Sequence, residues 1–246
     1  MSHLRKTSAL LLAAMFASAA TQADDYQFEL NVSGDHASFD ADDPDDLDAI
    51  GVGGTYYFKP VPTDGLPLAE AAFLNKSSYV SGAAIRSELG DEKIDIFGAS
   101  LGYYMPGTML YGRLGFTYAD DYGGDQTNIN GSIGVTPLHG LLVTTDFDED
   151  GWDPNATAKY VGKIADRHFY AASVSVTDPD DDDVDLGLAF DYYLDLTFSV
   201  GAGFNSGQDA FSLRAEKFFK PNFAVGGRAY FGDDSDGFGA TVSWRF

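Results

Sequence analysis

Three aspartates at alternate positions, Asp146, Asp148 and Asp150, run into Gly151 in a D-x-D-x-D-G pattern. That spacing offers three carboxylates and a tight turn, as a calcium loop does. The place where such a loop puts its bidentate acid is held by Thr157, and no helical pattern flanks the run, so these aspartates are weak calcium candidates. Nonspecific bridging of acidic loops by divalent ions is the alternative, and no cofactor is expected. For acid or base catalysis the chain offers only His3, His36, His139 and His168. His36 has Asp35 beside it, but no spacing fixes a catalytic partner, and a solvated surface histidine is the plainer reading. No catalytic residue is assigned. The absence of cysteine removes disulfide and thiol chemistry.

The remaining charges worth attention are Glu29, Arg86, Arg113, Lys159, Lys163, Asp185, Asp191, Asp195, Arg214, Glu216, Arg228 and Arg245. Each falls in a run whose residues alternate apolar with small or polar. The last nine residues show the rule: Phe238, Ala240, Val242, Trp244 and Phe246 share one face of a strand, and Gly239, Thr241, Ser243 and Arg245 share the other. Large apolar side chains on the outer face of a terminal strand suit lipid, and a small polar opposite face suits a watery lumen.

Arg5 and Lys6 precede an apolar run from Ala9 to Ala20, and small residues follow as far as Ala23 before the chain turns acidic. This reads as a secretory signal over residues 1–23, leaving a barrel over residues 24–246. The run falls short of the roughly 20 apolar residues a spanning helix needs. No later stretch reaches that length either, whereas barrel strands need only about 10 alternating residues. The formal charge is −23. Losing Arg5 and Lys6 takes it to −23 − 2 = −25, which argues against nucleic acid as a partner.

Fourteen strand-like runs follow, from Tyr26 to Ser38 through Phe238 to Phe246, and twelve is the fallback count. The fold class expected is an all-β, antiparallel, up-and-down transmembrane barrel. Connections alternate in kind. Those after odd strands carry acids, as in Asp40 to Asp48, Asp178 to Asp183 and Gly232 to Asp236. Those after even strands are short, apart from Lys59 to Ser77. With an even count both termini are periplasmic, so the acidic connections are extracellular. The fourth run is irregular, since Ile94 and Ile96 oppose Phe97, Ala99 and Leu101 in phase, and a bulge is expected there. A soluble β-sandwich would lack the phase of the acids and the outward Phe, Tyr, Val and Leu.

Facing along each strand assigns Glu29, Arg86, Arg113, Lys159, Lys163, Asp191, Arg214, Glu216, Arg228 and Arg245 to the pore lining, with Gln27 inside and Phe28, Leu30 and Val32 outside. A barrel of 8 strands fills with its own side chains and one of 16 to 18 holds water, so about fourteen leave a pore unless it is plugged. Lining charges of both signs balance, which gives no strong selectivity, although the one-sign acidic rim favours cations at the mouth. Two other classes stay open: a structural or adhesive barrel with a plugged lumen, and a hydrolase acting at the rim through His36.

The stretch Tyr56, Tyr57, Phe58, Lys59, Pro60, Val61, then Gly65 to Asn75 (GLPLAEAAFLN), resembles the general bacterial porins of Gram-negative outer membranes. Leu66 between Gly65 and Pro67 is a small departure. The resemblance implies a passive diffusion channel for small hydrophilic solutes, set among outer-membrane lipid and lipopolysaccharide by the outer-membrane insertion machinery, with no catalytic residues to carry over. Leu68 to Leu74 reads as a short helical turn at the periplasmic mouth, able to plug, gate or cap.

Overall fold

The computed structural model describes residues 25–39, 46–90, 92–121, 124–148, 151–177, 184–233 and 235–246. Its strands are β1 (Tyr26–Phe39), β2 (Leu47–Val61), β3 (Tyr79–Leu89), β4 (Glu92–Tyr104), β5 (Leu110–Asp121), β6 (Gly124–Val135) and β7 (Leu141–Asp148). They continue as β8 (Gly151–Ala165), β9 (His168–Thr177), β10 (Asp185–Asp195), β11 (Phe198–Asn205), β12 (Ala210–Lys220), β13 (Phe223–Phe231) and β14 (Ser235–Arg245). Each pairs antiparallel with its neighbours in sequence, and β1 pairs with β14, so the sheet closes and no edge remains.

Closure is carried by the last strand, where Glu29 lies opposite Arg245, Val32 opposite Val242 and Asp35 opposite Gly239. Residues opposite one another share a face, so the register sorts the whole wall. Val52, Tyr56, Leu114, Phe116, Ile129, Ile133, Leu188, Phe190, Leu213 and Phe238 stand outward and exposed. In water such a surface would aggregate. In a bilayer it is the lipid face, because closure gives every strand a hydrogen-bonded neighbour on both sides and leaves no open edge in the hydrocarbon. Among the described residues no helix is long and apolar enough to span a membrane, which leaves strands as the spanning elements.

Two local expectations need correction. β4 pairs with β3 from Glu92 to Gly102 without a register shift, so the reversal at Ile94 is not a bulge. Ile85 lies opposite both Gly51 and Ile96. Ile94 and Ile96 therefore face inward at the acidic end, and Asp95 between them faces out. A shift does occur between Tyr26 and Phe28. It turns Gln27 outward, where its amide donates to the Tyr56 hydroxyl at 2.9 Å, instead of inward as its parity suggested.

The interior core lies at the end of the barrel that holds the even connections and both ends of the strand ladder. The β2 to β3 connection carries a 3₁₀ turn (Leu68–Glu70) and then one helical turn, α1 (Ala71–Leu74), as the sequence led one to expect. Pro67 supplies the fixed φ of −59° that leads into it.

Candidate functional site in the lumen

The segment over residues 62–78 crosses the bore. Ala71 packs with Tyr26, Tyr57 and Val61 on β1 and β2. Leu74 packs with Val161, Phe169, Ala171 and Tyr193 on β8, β9 and β10. In a ring of fourteen strands β2 and β9 are seven places apart, so these contacts lie on opposite walls. Leu68 meets Phe218 and Ala224 on β12 and β13. Lys76 reaches from the other side to donate to Thr136 Oγ1 at 2.8 Å. A helical turn with its side chains is about 10 Å across, and this one touches the wall on several sides. The segment is a plug with four-sided contact.

Two polar anchors hold it. The guanidinium of Arg245 sits between the rings of Tyr26 and Phe218, 4.3 and 4.5 Å from their centroids. Its Nε donates to Glu29 Oε2 at 2.5 Å and its Nη1 to the Leu68 carbonyl at 2.8 Å. Arg245 is 5% exposed, so these contacts are made with little water to compete. On the facing wall Glu70, 6% exposed, accepts from the Tyr193 hydroxyl at 2.8 Å and pairs with Lys159 Nζ at 2.8 Å. Lys159 also lies over the Phe73 ring at 4.7 Å. A buried carboxylate requires such partners, since alone it would be heavily penalised. Glu70 was not singled out in the sequence. Its signal was a lone acid within an apolar helical turn.

Above the plug is a cavity of about 410 Å³ whose wall is formed by β10 to β14 and β1. Arg214 donates to Asp191 through Nε at 2.6 Å and Nη2 at 2.7 Å. Arg228 meets Asp35 through Nε at 2.8 Å and Nη2 at 2.6 Å. Arg214 and Arg228 lie directly opposite on β12 and β13. Gly201 lies beneath the first pair: a Cβ there would stand 3.0 Å from Arg214 Nε, so glycine lets the guanidinium lie flat against the wall. Glu216 lines the same cavity. The opposite wall, across β2 to β5, is built of Gly53, Ser81, Ala83, Gly98, Ser100 and Thr117, with Arg113 among them.

The other expected site residues fall as follows. Arg113 donates to Ser132 Oγ at 3.3 Å, and Ser132 donates to Asp146 at 2.5 Å. Lys163 stands by the β8 to β9 turn, 3.8 Å from Asp166 and 5.9 Å from the Phe169 centroid. Arg86 does not face the lumen. It lies opposite Ile50, in phase with outward Val80, and holds Asp95 with two bonds of 2.7 Å. Asp195 likewise leaves the lumen wall for the β10 to β11 turn, where it caps Thr197 and approaches Lys217 at 3.7 Å.

Asp146 and Asp148 both lie in β7, opposite Ser132 and Asn130, while Asp150 lies outside the described residues. Among the described residues no three His, Cys, Asp or Glu side chains form a metal-holding group. His36 pairs with Asp48 at 2.9 Å rather than with its chain neighbour, because Asp35 points to the other face. Asp40, Asp42, Asp43, Asp45, Asp178, Asp180 to Asp183 and Asp234 also lie outside the described residues.

A closed barrel of fourteen strands, apolar outside and charged within, is of the outer-membrane porin class. Residues 1–102 match the family described as "Putative general bacterial porin", a similarity that includes the stretch from Tyr56 to Asn75. Among solved structures, the Acinetobacter baumannii outer membrane protein Omp33 is 25% identical, covers 92% of this chain and 100% of its own, and superimposes with a TM-score of 0.75. KdgM porin, in complex with disordered oligogalacturonate, is 8% identical over 88% of this chain and 99% of its own, with a TM-score of 0.46. A substituted Rh. blastica porin is 8% identical over 89% and 99%, with a TM-score of 0.45. No curated protein sequence matches. The protein is an outer-membrane β-barrel similar to porins.

Proposed function

We propose that the protein is a passive pore for small hydrophilic solutes that rests closed, with residues 62–78 as its periplasmic gate. The observation that carries this is how the plug is attached. Within its two helical turns, one backbone bond reaches the wall, from Leu68 N to the Leu196 carbonyl at 2.8 Å, and the rest of the hold is side-chain packing and ion pairs. The segment can leave the bore without breaking the barrel ladder, since its ends continue into β2 and β3. The path would be lined by Glu29, Arg113, Lys159, Lys163, Asp191, Arg214, Glu216, Arg228 and Arg245. Extracellular acids such as Asp46, Asp48, Asp233 and Asp236 give the mouth a mild preference for cations.

The mature chain would begin at Asp24, after export and cleavage behind Ala23, and would enter a lipopolysaccharide-containing membrane through the outer-membrane insertion machinery. A second reading, a structural barrel kept permanently plugged, is favoured by the contact of the plug with four sides of the wall.

Planar-bilayer recording and sugar-driven liposome swelling separate the two. The pore reading expects sparse openings from the native protein and steady conductance once residues 64–76 are replaced by a short Gly-Ser linker. A native protein that never conducts or admits sugar, beside a linker variant that does, would establish the plugged reading instead.

A further inference from the structure

The cavity above the plug is a mixed-charge chamber whose ionic groups pair off with one remainder. Four pairs surround it: Glu29 with Arg245, Glu70 with Lys159, Asp191 with Arg214, and Asp35 with Arg228. Glu216 enters no ion pair among the described residues, although it lines the cavity beside them. One carboxylate is therefore uncommitted. The guanidinium groups have capacity left as well. Both Arg214 and Arg228 turn Nε and Nη2 to their acids, which leaves the Nη1 donors of each unused by those pairs. Arg214 and Glu216 are two residues apart on the inner face of β12, about 7 Å along the strand.

We propose that this chamber binds a small zwitterion, an amino acid in its ordinary charged form, with its ammonium on Glu216 and its carboxylate on the Nη1 groups of Arg214 and Arg228. The cavity of about 410 Å³ holds on the order of a dozen waters at ~30 Å³ each, room for such a solute with part of its hydration shell. The plug is its floor, through Ala69 and Glu70. A simple anion would find donors but would also face the surplus carboxylate, and a simple amine would leave the donors unused. The proposal rests on the pore reading only in requiring that solutes reach the lumen from the extracellular side.

The test is calorimetric titration of the full-length protein in detergent micelles with alanine, acetate and ethylamine. Alanine should bind at least tenfold more tightly than either single-charge probe, since charge-assisted hydrogen bonds are made at both ends. E216Q should lower alanine binding to about the level of acetate, and R228Q to about that of ethylamine. The heat-modifiable gel shift of a folded barrel serves as the control for both variants. Equal affinity for the three probes, no alanine binding, or unchanged alanine binding in folded E216Q would overturn the proposal. Micelle binding needs no conduction. Sugar swelling without alanine preference removes the chamber and leaves the pore, whereas alanine binding without swelling keeps the chamber and removes the pore.

Discussion

Arg245, next to the end of the chain, donates from Nη1 to the carbonyl of Leu68, 177 positions earlier, at 2.8 Å. The strand that closes the barrel thereby also holds the segment that closes its bore. Arg245→Ala removes one member of a nearly buried pair and leaves the Glu29 carboxylate with the Asn31 amide as its remaining side-chain donor among the described residues. The expected cost is about 3–5 kcal/mol, most of it falling on the plug. Openings in planar bilayers should become more frequent, with Arg245→Lys intermediate because an ammonium lacks the fork that serves Glu29 and Leu68 together.

Leu74 sits with Val161, Phe169, Ala171 and Tyr193 in the largest interior cluster. Leu74→Ala removes methyl groups from a site closed by rings and barrel wall, which relaxes little. The plug should lose about 2–5 kcal/mol against the wall. Hydrogen exchange should show faster exchange at the amides of 70–77, with strand amides far from the periplasmic end unchanged. A uniform rise across all strands would mean that plug and barrel unfold as one unit.

Much of the barrel was legible because its solvent is inverted: lipid outside and water inside impose period two on every strand and collect acids at one end. Arg86 was misread because this rule lapses where β3 rises past the apolar band. There Ile85 and Ile96 turn inward while Arg86 and Asp95 turn out. Gln27 was misread because one register shift inverts everything beyond it, and a shift leaves no mark in composition. The plug was visible as an apolar turn, but its placement was not. Leu68, Ala71 and Leu74 each find a different wall, and such long-range contacts are set by ring geometry rather than by local pattern.

Glu70 and Lys159 form a pair that is 8% and 37% exposed in its side chains. Each single change, Glu70→Gln or Lys159→Met, should destabilise the plug more than the double change does. Partial removal leaves a charge uncompensated, whereas full removal leaves a neutral site. A double-mutant cycle read by plug-specific exchange should return a coupling of roughly 1–3 kcal/mol. Additive losses would mean that Tyr193 alone satisfies Glu70.

Arg86 and Arg214 each hold an aspartate with two bonds, but on opposite faces of the wall. Arg86→Ala should leave conductance and ion preference unchanged. It should cost no more than about 1 kcal/mol, because both partners are substantially exposed. Arg214→Ala should change both conductance and ion preference, since it leaves Asp191 unpaired inside the lumen. Recording both variants in the barrel with the Gly-Ser linker removes plug movement from the comparison. An effect of Arg86→Ala equal to that of Arg214→Ala would contradict the register of β3.

The acidic rim predicts how ion preference responds to salt. Asp233 and Asp236 lie at the β13 to β14 turn, and Asp46 and Asp48 at the start of β2. Their field reaches about one Debye length, ~10 Å at 0.1 M and ~3 Å at 1 M. Under a fixed tenfold KCl gradient the reversal potential should carry the cation sign at low mean concentration and shrink toward zero as that mean rises. Asn at 233 and 236 should reduce it further without changing conductance at 1 M. A potential that stays constant across this range would place selectivity in the lumen, at Glu216, where partial burial weakens screening by bulk salt.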